Sequence, residues 1–141
     1  MQLQWPATAA HRIDQVIEQY PNSVALKDGY GHILTYSEMN ERVVGISTAL
    51  RDQNSESMKQ AVLGVFQMPS ADWICSLLAI HRVGAVYLPL DLQNSIPEAA
   101  RPAVLLVDKE TVGQVNQIDR SGLVAVINAN LVISCPNLFS S

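Results

Sequence analysis

Apolar residues in this chain follow two spacings, one typical of helices and one typical of buried strands. Short runs that are apolar at nearly every position occur at residues 62–66, 86–90, 103–107 and 123–127, which favours strands. Helical spacing recurs at residues 9–20, 39–50 and 71–83, with a shorter helix at 109–117. The alternation predicts an α/β fold in which helices flank a mostly parallel sheet.

The segment at residues 71–83 is the most apolar of the predicted helices and must be covered on several faces. Ser70 is placed to cap its N-terminus, and Asp72 lies in the first turn, where the helix dipole favours an acid. Gly84 supplies a C-terminal stop. Pro89 should end the following strand or confine it to an edge of the sheet.

Near the N-terminus, two short apolar runs flank the residues Asp28-Gly-Tyr-Gly. Gly29 and Gly31 can adopt positive φ, so residues 24–27 and 32–36 are predicted to form a β-hairpin. A phosphate loop is the alternative for the two glycines. It is disfavoured because the full GxGxxG pattern is absent and no strand-turn-helix follows.

The hairpin leads into a predicted helix that begins with a capping box. The Thr35 hydroxyl can accept the backbone N–H of Glu38, whose carboxylate can reach back to the Thr35 N–H. Glu38 is therefore interpreted as a capping residue and not as an acid or base. The apolar stripe below it is interpreted as core and comprises Met39, Val43, Ile46 and Leu50.

The connection after Asp91 is short for a crossover between parallel strands, which normally needs a dozen or more residues. Only residues 97–102 could form a helix there, and prolines bound that turn. We therefore expect that the strand at 103–107 cannot lie parallel beside its neighbour. Side chains around Tyr87, Val104 and Leu106 would then stay partly exposed.

Two motifs carry a resemblance to a known family. LTYSEM at residues 34–39 resembles the first core motif of nonribosomal peptide synthetase adenylation domains, and GAVYLPLD at residues 84–91 resembles the second. Residues 65–91 as a whole most resemble adenylation domains of fungal hybrid polyketide synthase/nonribosomal peptide synthetases. The resemblance covers residues 5–107. The motif residues are Leu34, Thr35, Tyr36, Glu38, Gly84, Tyr87, Pro89 and Asp91.

The resemblance implies that residues 1–141 are a truncated N-terminal subdomain of an adenylate-forming enzyme of secondary-metabolite biosynthesis. Residues 1–7 would be a linker-like lead-in, and residues 128–141 match nothing and stay unassigned. The complete family domain uses ATP and Mg²⁺ to activate an amino acid, which it transfers to a carrier-protein thiol. Its phosphate loop, pocket motifs and catalytic lysine have no counterpart here. We therefore expect no catalytic or cofactor-binding residue in this chain, and structural roles for the eight motif residues.

Composition and charge bear on whether the chain binds nucleic acid, a membrane or a metal ion. The net charge is -4 and no basic patch is present, which argues against nucleic acid. The start MQLQWPAT lacks the features of a signal peptide, and the apolar stretches are too short for a membrane span, so a cytoplasmic protein is expected. The three histidines lack metal-ligand spacing, and neither Cys75 nor Cys135 belongs to a CxxC motif, so no metal site is predicted.

Two other functions stay open. Charged residues make up only 16% of the chain, against about 25% in an average globular domain. This sparse charge is compatible with a non-catalytic interaction protein that docks on a larger synthetase, or on the missing remainder of the adenylation domain. A generic flavodoxin-like nucleotide-binding module, using the carboxyl end of its sheet, is the third possibility.

Overall fold

The structure is a computed structural model that describes residues 9–53, 61–91, 101–118 and 122–134. The predicted lead-in at residues 1–7 and Cys135 lie outside these residues. The helices of the described part are α1 (Ala9–Gln19), α2 (Tyr36–Asp52), α3 (Ala71–Arg82) and α4 (Ala129–Ser134), with a 3₁₀ helix at Val112–Gln117. Its strands are β1 (Val24–Lys27), β2 (Ile33–Thr35), β3 (Val62–Phe66), β4 (Val86–Pro89), β5 (Val104–Val107) and β6 (Ala125–Asn128).

The strands form two sheets, as the apolar pattern predicts. A four-stranded sheet has the order β4-β3-β5-β6, and all of its neighbouring strands are parallel. The strands β1 and β2 form a separate antiparallel hairpin, with Leu26 opposite Leu34. Gly31 in its turn has a φ of 88°, a conformation that glycine adopts without steric cost. The predicted α/β fold with an N-terminal hairpin is confirmed.

The main core lies between one face of the large sheet and helices α2 and α3. The stripe predicted on α2 is buried throughout, and Ile46 and Leu50 are fully inaccessible to solvent. Ile80 and Cys75 meet it from α3. Trp73, in contrast, is only partly buried at the rim of this core. A smaller cluster covers the other sheet face and is formed by Phe66, Leu105, Val107 and Ile118.

The local signals at both ends of α3 act as predicted. The Ser70 hydroxyl accepts a hydrogen bond from the Trp73 N–H at 3.2 Å and caps the N-terminus. At the other end, Gly84 has a φ of 77°, which allows the chain to leave the helix sharply. These two residues direct the chain from β3 through α3 into β4.

The expectation for the strand at 103–107 is wrong, although Tyr87 is partly exposed as expected. Residues 92–100, which include most of the predicted turn at 97–102, lie outside the described residues. Strand β5 lies parallel beside β3, with Leu63 opposite Val104, and Val104 and Leu106 are both fully buried. The connection after β4 is therefore long enough to return the chain to the sheet for a further parallel strand. Because β5 pairs with β3 and β6, it is an interior strand, and both of its faces are covered.

Strand β4 forms one edge of the large sheet, which fits the predicted position of Pro89. The N–H of Val86 bonds to the Ala61 carbonyl and the N–H of Leu90 to the Val65 carbonyl. Since backbone groups alternate in direction along a strand, the nitrogen of Pro89 faces away from β3. The sheet loses no hydrogen bond to this proline. The side chain of Tyr87, at the same edge, is 36% exposed.

Candidate functional site

The candidate site lies at the carboxyl ends of the parallel strands. Because parallel strands end at the same edge of a sheet, the residues that follow β3, β5 and β6 meet there, and the hairpin turn closes one side. Together they surround a pocket of about 140 Å³. Its lining residues are Tyr30, His32, Met68, Ser70, Asp72, Asp108, Lys109, Glu110 and Asn130.

The strand order makes this edge the natural position for a ligand. Strand β4 lies on one side of β3, and β5 lies on the other side. The connections after β3 and after β5 therefore diverge at the carboxyl edge. In open α/β sheets, ligands bind in the crevice at such a switch point. The chemistry of the pocket then depends on whether its polar groups are available.

Asp28 ties the hairpin turn to the start of α3. One carboxylate oxygen accepts the N–H groups of Tyr30 and His32 at 2.9 and 3.0 Å. The other accepts the Ala71 N–H at 2.8 Å and contacts His32 Nδ1 at 2.8 Å. Burial alone would raise the pKa of Asp28, but the hydrogen bonds from Ala71, His32 and Tyr30 hold the pKa well below its usual value.

Asp72 joins three helices at the wall of the pocket. Its carboxylate accepts hydrogen bonds from Arg42 in α2 and from the side-chain amide of Asn130 in α4, each at 2.5 Å. The Asn130 side-chain oxygen in turn accepts the Lys109 N–H at 2.6 Å. The side chain of Asp72 is only 7% exposed. Buried charges are normally paired in this way.

Asp108 organises the loop that follows β5. One carboxylate oxygen accepts the Met68 N–H at 2.8 Å, across the gap to the β3 loop. The other accepts the N–H groups of Glu110 and Thr111, each at 2.9 Å. The Thr111 hydroxyl donates to the Phe66 carbonyl at 2.5 Å. Both carboxylate oxygens are thus used to fix the two loops relative to each other.

The three aspartates therefore serve as fixed acceptors for groups of the protein. Every carboxylate oxygen of Asp28, Asp72 and Asp108 accepts at least one hydrogen bond from a protein donor. The Cys75 thiol is not an activated nucleophile, because burial first and the nearby Asp72 charge second raise its pKa to about 12. What this arrangement does is hold the loops at the carboxyl edge.

The first predicted motif forms the capping box at the start of α2. The Thr35 N–H donates to the Glu38 carboxylate at 2.9 Å, and the Glu38 N–H donates to the Thr35 hydroxyl at 3.1 Å. The hydrogen bonds that the Glu38 carboxylate accepts, from the Thr35 backbone first and the Thr35 side chain second, lower its pKa. Leu34 is buried in the core, and the Tyr36 N–H bonds to the Ser23 carbonyl at 2.9 Å.

The second motif occupies a different part of the fold. Gly84 ends α3, whereas Tyr87 and Pro89 belong to the β4 edge and Asp91 follows it. The structure places neither motif in the pocket, since the eight motif residues are absent from its lining. The sequence motifs and the candidate site are therefore separate features.

Sequence reasoning missed most of the polar residues at the carboxyl edge. For Asp108 a local signal existed: an aspartate directly after a buried strand, with a threonine three residues later, is typical of an Asx-type turn. For Asp72 the sequence indicates only a favourable charge in the first turn of a helix. Its bonds to Arg42 and Asn130 join residues 30 and 58 positions apart, so no local pattern could indicate them.

The described residues were also compared with the requirements of a metal site and of a membrane span. Within residues 9–53, 61–91, 101–118 and 122–134, no group of three or more His, Cys, Asp or Glu side chains is arranged to hold a metal ion. None of the helices in the described part of the chain combines the length and apolar character that a membrane span requires.

Comparison with known proteins assigns the family. The family model for AMP-binding enzymes matches residues 13–126. The hybrid PKS-NRPS synthetase tasS of Hapsidospora irregularis is 53% identical over 134 residues, which cover 91% of this chain and 3% of the synthetase. The hybrid PKS-NRPS synthetase fsa1 of a Fusarium species is 52% identical over 120 residues, which cover 81% of this chain and again 3% of the relative.

Solved structures agree on the fold. The N-terminal subdomain of NpsA from Klebsiella oxytoca superposes with a TM-score of 0.69 at 20% identity, covering 89% of this chain and 32% of that one. The fold is therefore that of the N-terminal subdomain of an adenylate-forming enzyme. The chain belongs to the AMP-binding enzyme family, and its matched relatives are fungal hybrid PKS-NRPS synthetases. It spans about 3% of the length of these relatives.

Proposed function

We propose that this chain is the N-terminal scaffold part of an amino-acid-adenylating domain in a fungal hybrid PKS-NRPS synthetase. In this proposal it supplies the parallel sheet and helices on which the adenylation site is completed by further residues of the domain. By itself it activates no amino acid. The observation that carries the proposal is the family match over residues 13–126, together with 53% identity to a synthetase of that type.

The state of the polar groups at the carboxyl edge supports a scaffold role. The carboxylates of Asp28, Asp72 and Asp108 each accept hydrogen bonds from two or more protein donors. A carboxylate that coordinates Mg²⁺ would need oxygens directed at the ion. We therefore propose that ATP and Mg²⁺ are held by residues outside this chain.

The small volume of the pocket also supports a scaffold role. Its volume of about 140 Å³ is below the range of about 300–1,000 Å³ that is typical of ligand sites. A nucleotide or flavin would not fit without movement of the surrounding loops. This weighs against a flavodoxin-like nucleotide-binding module and favours a packed scaffold.

The two family motifs have positions that suit such a scaffold. Thr35 and Glu38 satisfy backbone donors at the start of α2, and Gly84 and Pro89 shape the exit from α3 and the β4 edge. We propose that all eight motif residues act on structure and that none contacts the reacting atoms. Their loss would therefore lower stability first and activity only as a consequence.

A graft into a relative tests this function. Residues 13–126 replace the aligned segment of tasS, and amino-acid-dependent exchange between ATP and pyrophosphate is measured on the chimera. We expect the exchange to be retained, because the segment supplies the same scaffold. The matched control is the same chimera with Arg42→Ala, which should lose exchange together with folded protein. A chimera that folds to the level of tasS but shows no exchange would contradict the proposal.

A further inference from the structure

The side-chain amide of Gln67 is buried without a hydrogen-bond partner. Gln67 follows β3 directly, and within the part of the chain that the structure describes neither its amide nitrogen nor its amide oxygen is bonded. Buried polar groups in folded proteins are nearly always hydrogen-bonded, because an unpaired group loses its bonds to water and gains none in return. The orphaned amide therefore indicates a partner that these residues do not supply.

The backbone on both sides of Gln67 is fixed, so the unpaired amide does not result from a loose loop. The Phe66 carbonyl accepts a hydrogen bond from the Thr111 hydroxyl. The Met68 N–H donates to the Asp108 carboxylate at 2.8 Å. The start of the Gln67 side chain is thus held in place at the carboxyl end of β3, and only its amide lacks a bond.

The amide of Gln67 can be reached from outside, unlike the other unpaired groups. Ser47 and Ser76 also have unpaired hydroxyl oxygens, but they are 1% and 0% exposed within α2 and α3. No further segment can contact them. Gln67 as a whole is only partly buried, so rotation about its χ angles can bring the amide to the surface.

The position of Gln67 is the crevice that the strand order creates. Strands β4 and β5 lie on opposite sides of β3, so the chain connections diverge beside the residue that follows β3. Gln67 does not line the pocket of about 140 Å³ at this edge. A molecule in that pocket is therefore not its partner.

We propose that Gln67 is a docking residue, which binds a backbone peptide group of the further residues of the adenylation domain. This rests on the proposed function, in which those residues complete the domain. A carboxamide has N–H donors and a carbonyl acceptor, as a peptide unit does, so one peptide group can satisfy both atoms. A metal ion would use only the oxygen, and a phosphate group only the N–H. The matched relatives carry further residues in the same polypeptide, since this chain spans 3% of their length, so no second copy is needed.

Gln67→Met tests the proposal, because it removes both polar atoms and keeps an unbranched side chain of similar length. Amide hydrogen exchange in β3 is measured by mass spectrometry for the isolated 141-residue chain and for the tasS chimera that carries residues 13–126. We expect slower exchange in the isolated chain, where the substitution removes an unpaired buried amide, and faster exchange in the chimera, where it removes a bonded one.

Gln114→Met is the matched control, because the Gln114 side chain is exposed, and it should change exchange in neither protein. Should Gln67→Met fail to fold, Gln67→Leu takes its place. Faster exchange in the isolated chain would overturn the proposal, since the amide would then already be bonded there, to the chain itself or to a buried water. Slower or unchanged exchange in the chimera would also overturn it. A chimera that folds without ATP–pyrophosphate exchange would count against the proposed function alone, because amide hydrogen exchange in β3 still decides this proposal.

Discussion

The guanidinium of Arg42 lies 2.5 Å from a carboxylate oxygen of Asp72, and this ion pair joins helix α2 to the first turn of α3. The side chain of Asp72 is 7% exposed, whereas that of Arg42 is 25% exposed. The second carboxylate oxygen accepts the side-chain amide of Asn130 in α4. One buried charge therefore fixes the relative positions of three helices beside the candidate pocket.

Arg42→Ala should destabilise the protein strongly, because it leaves the Asp72 carboxylate buried without a cation. Breaking a buried pair in this way costs about 3–5 kcal/mol, and partial exposure of Arg42 places the expected loss near the lower limit. The free energy of unfolding in urea measures it. Asp72→Asn should cost less, since it removes the buried charge as well.

Arg82→Ala is the matched control for this prediction. Arg82 also pairs with an aspartate at close range, 2.7 Å from Asp14, but the Asp14 side chain is 55% exposed. A pair of this kind contributes about 0–1 kcal/mol. Equal losses for Arg42→Ala and Arg82→Ala would show that the burial of Asp72 is not what makes the first pair important.

The capping box gives a second prediction about stability. Thr35→Ala removes the side-chain acceptor for the Glu38 N–H and should cost about 1 kcal/mol. Glu38→Ala should cost less, and the double variant should lose less than the sum, because both side chains serve one helix end. Thr48→Ala, in the middle of the same helix, is the control and should change stability little. Losses that add fully would show that the two side chains act independently.

Asp28 makes a pH-dependent contribution to stability. Its pKa in the folded protein is lowered well below the usual value of about 3.9. A lowered carboxyl pKa stabilises the fold above the pKa of the unfolded chain, and this stabilisation is lost as the pH falls through the folded pKa. Asp28→Asn should therefore be less stable than the unmodified protein near neutral pH.

Urea unfolding between about pH 7 and about pH 2 measures this difference. The gap in free energy of unfolding between the unmodified protein and Asp28→Asn should narrow as the pH falls below about 4, because the carboxylate then begins to take up a proton in the unfolded chain. A gap that stays constant over this range would mean that ionised Asp28 is not what stabilises the link between hairpin and α3.

Features that depend on a few neighbouring residues could be predicted from the sequence. The Thr35–Glu38 capping box, the Ser70 cap and the Gly84 helix end all involve residues within one turn, and the structure has each of them. The hairpin around Gly31 is of the same kind. Apolar runs likewise marked strands such as β3 and β5, because burial on both faces removes polar residues from the pattern.

Features that depend on distant residues could not be predicted in this way. The order of the strands follows from packing of the whole sheet, and the short connection after Asp91 led to the wrong expectation for Val104. The bond from Asp28 to the Ala71 N–H joins residues 43 positions apart. The donor in this bond is a backbone N–H, which nearly every residue has, so the identity of residue 71 does not indicate the bond. The candidate pocket is built from such contacts and could therefore be seen only in the structure.

The most direct test of the scaffold account is exchange between ATP and pyrophosphate by the isolated chain. The 141-residue chain is incubated with ATP, Mg²⁺ and each proteinogenic amino acid in turn, and the intact adenylation domain of a relative serves as the positive control. The account predicts exchange at background level with every amino acid, because the phosphate loop and the catalytic lysine of the family have no counterpart in this chain. Exchange that requires this chain and depends on even one amino acid would contradict it.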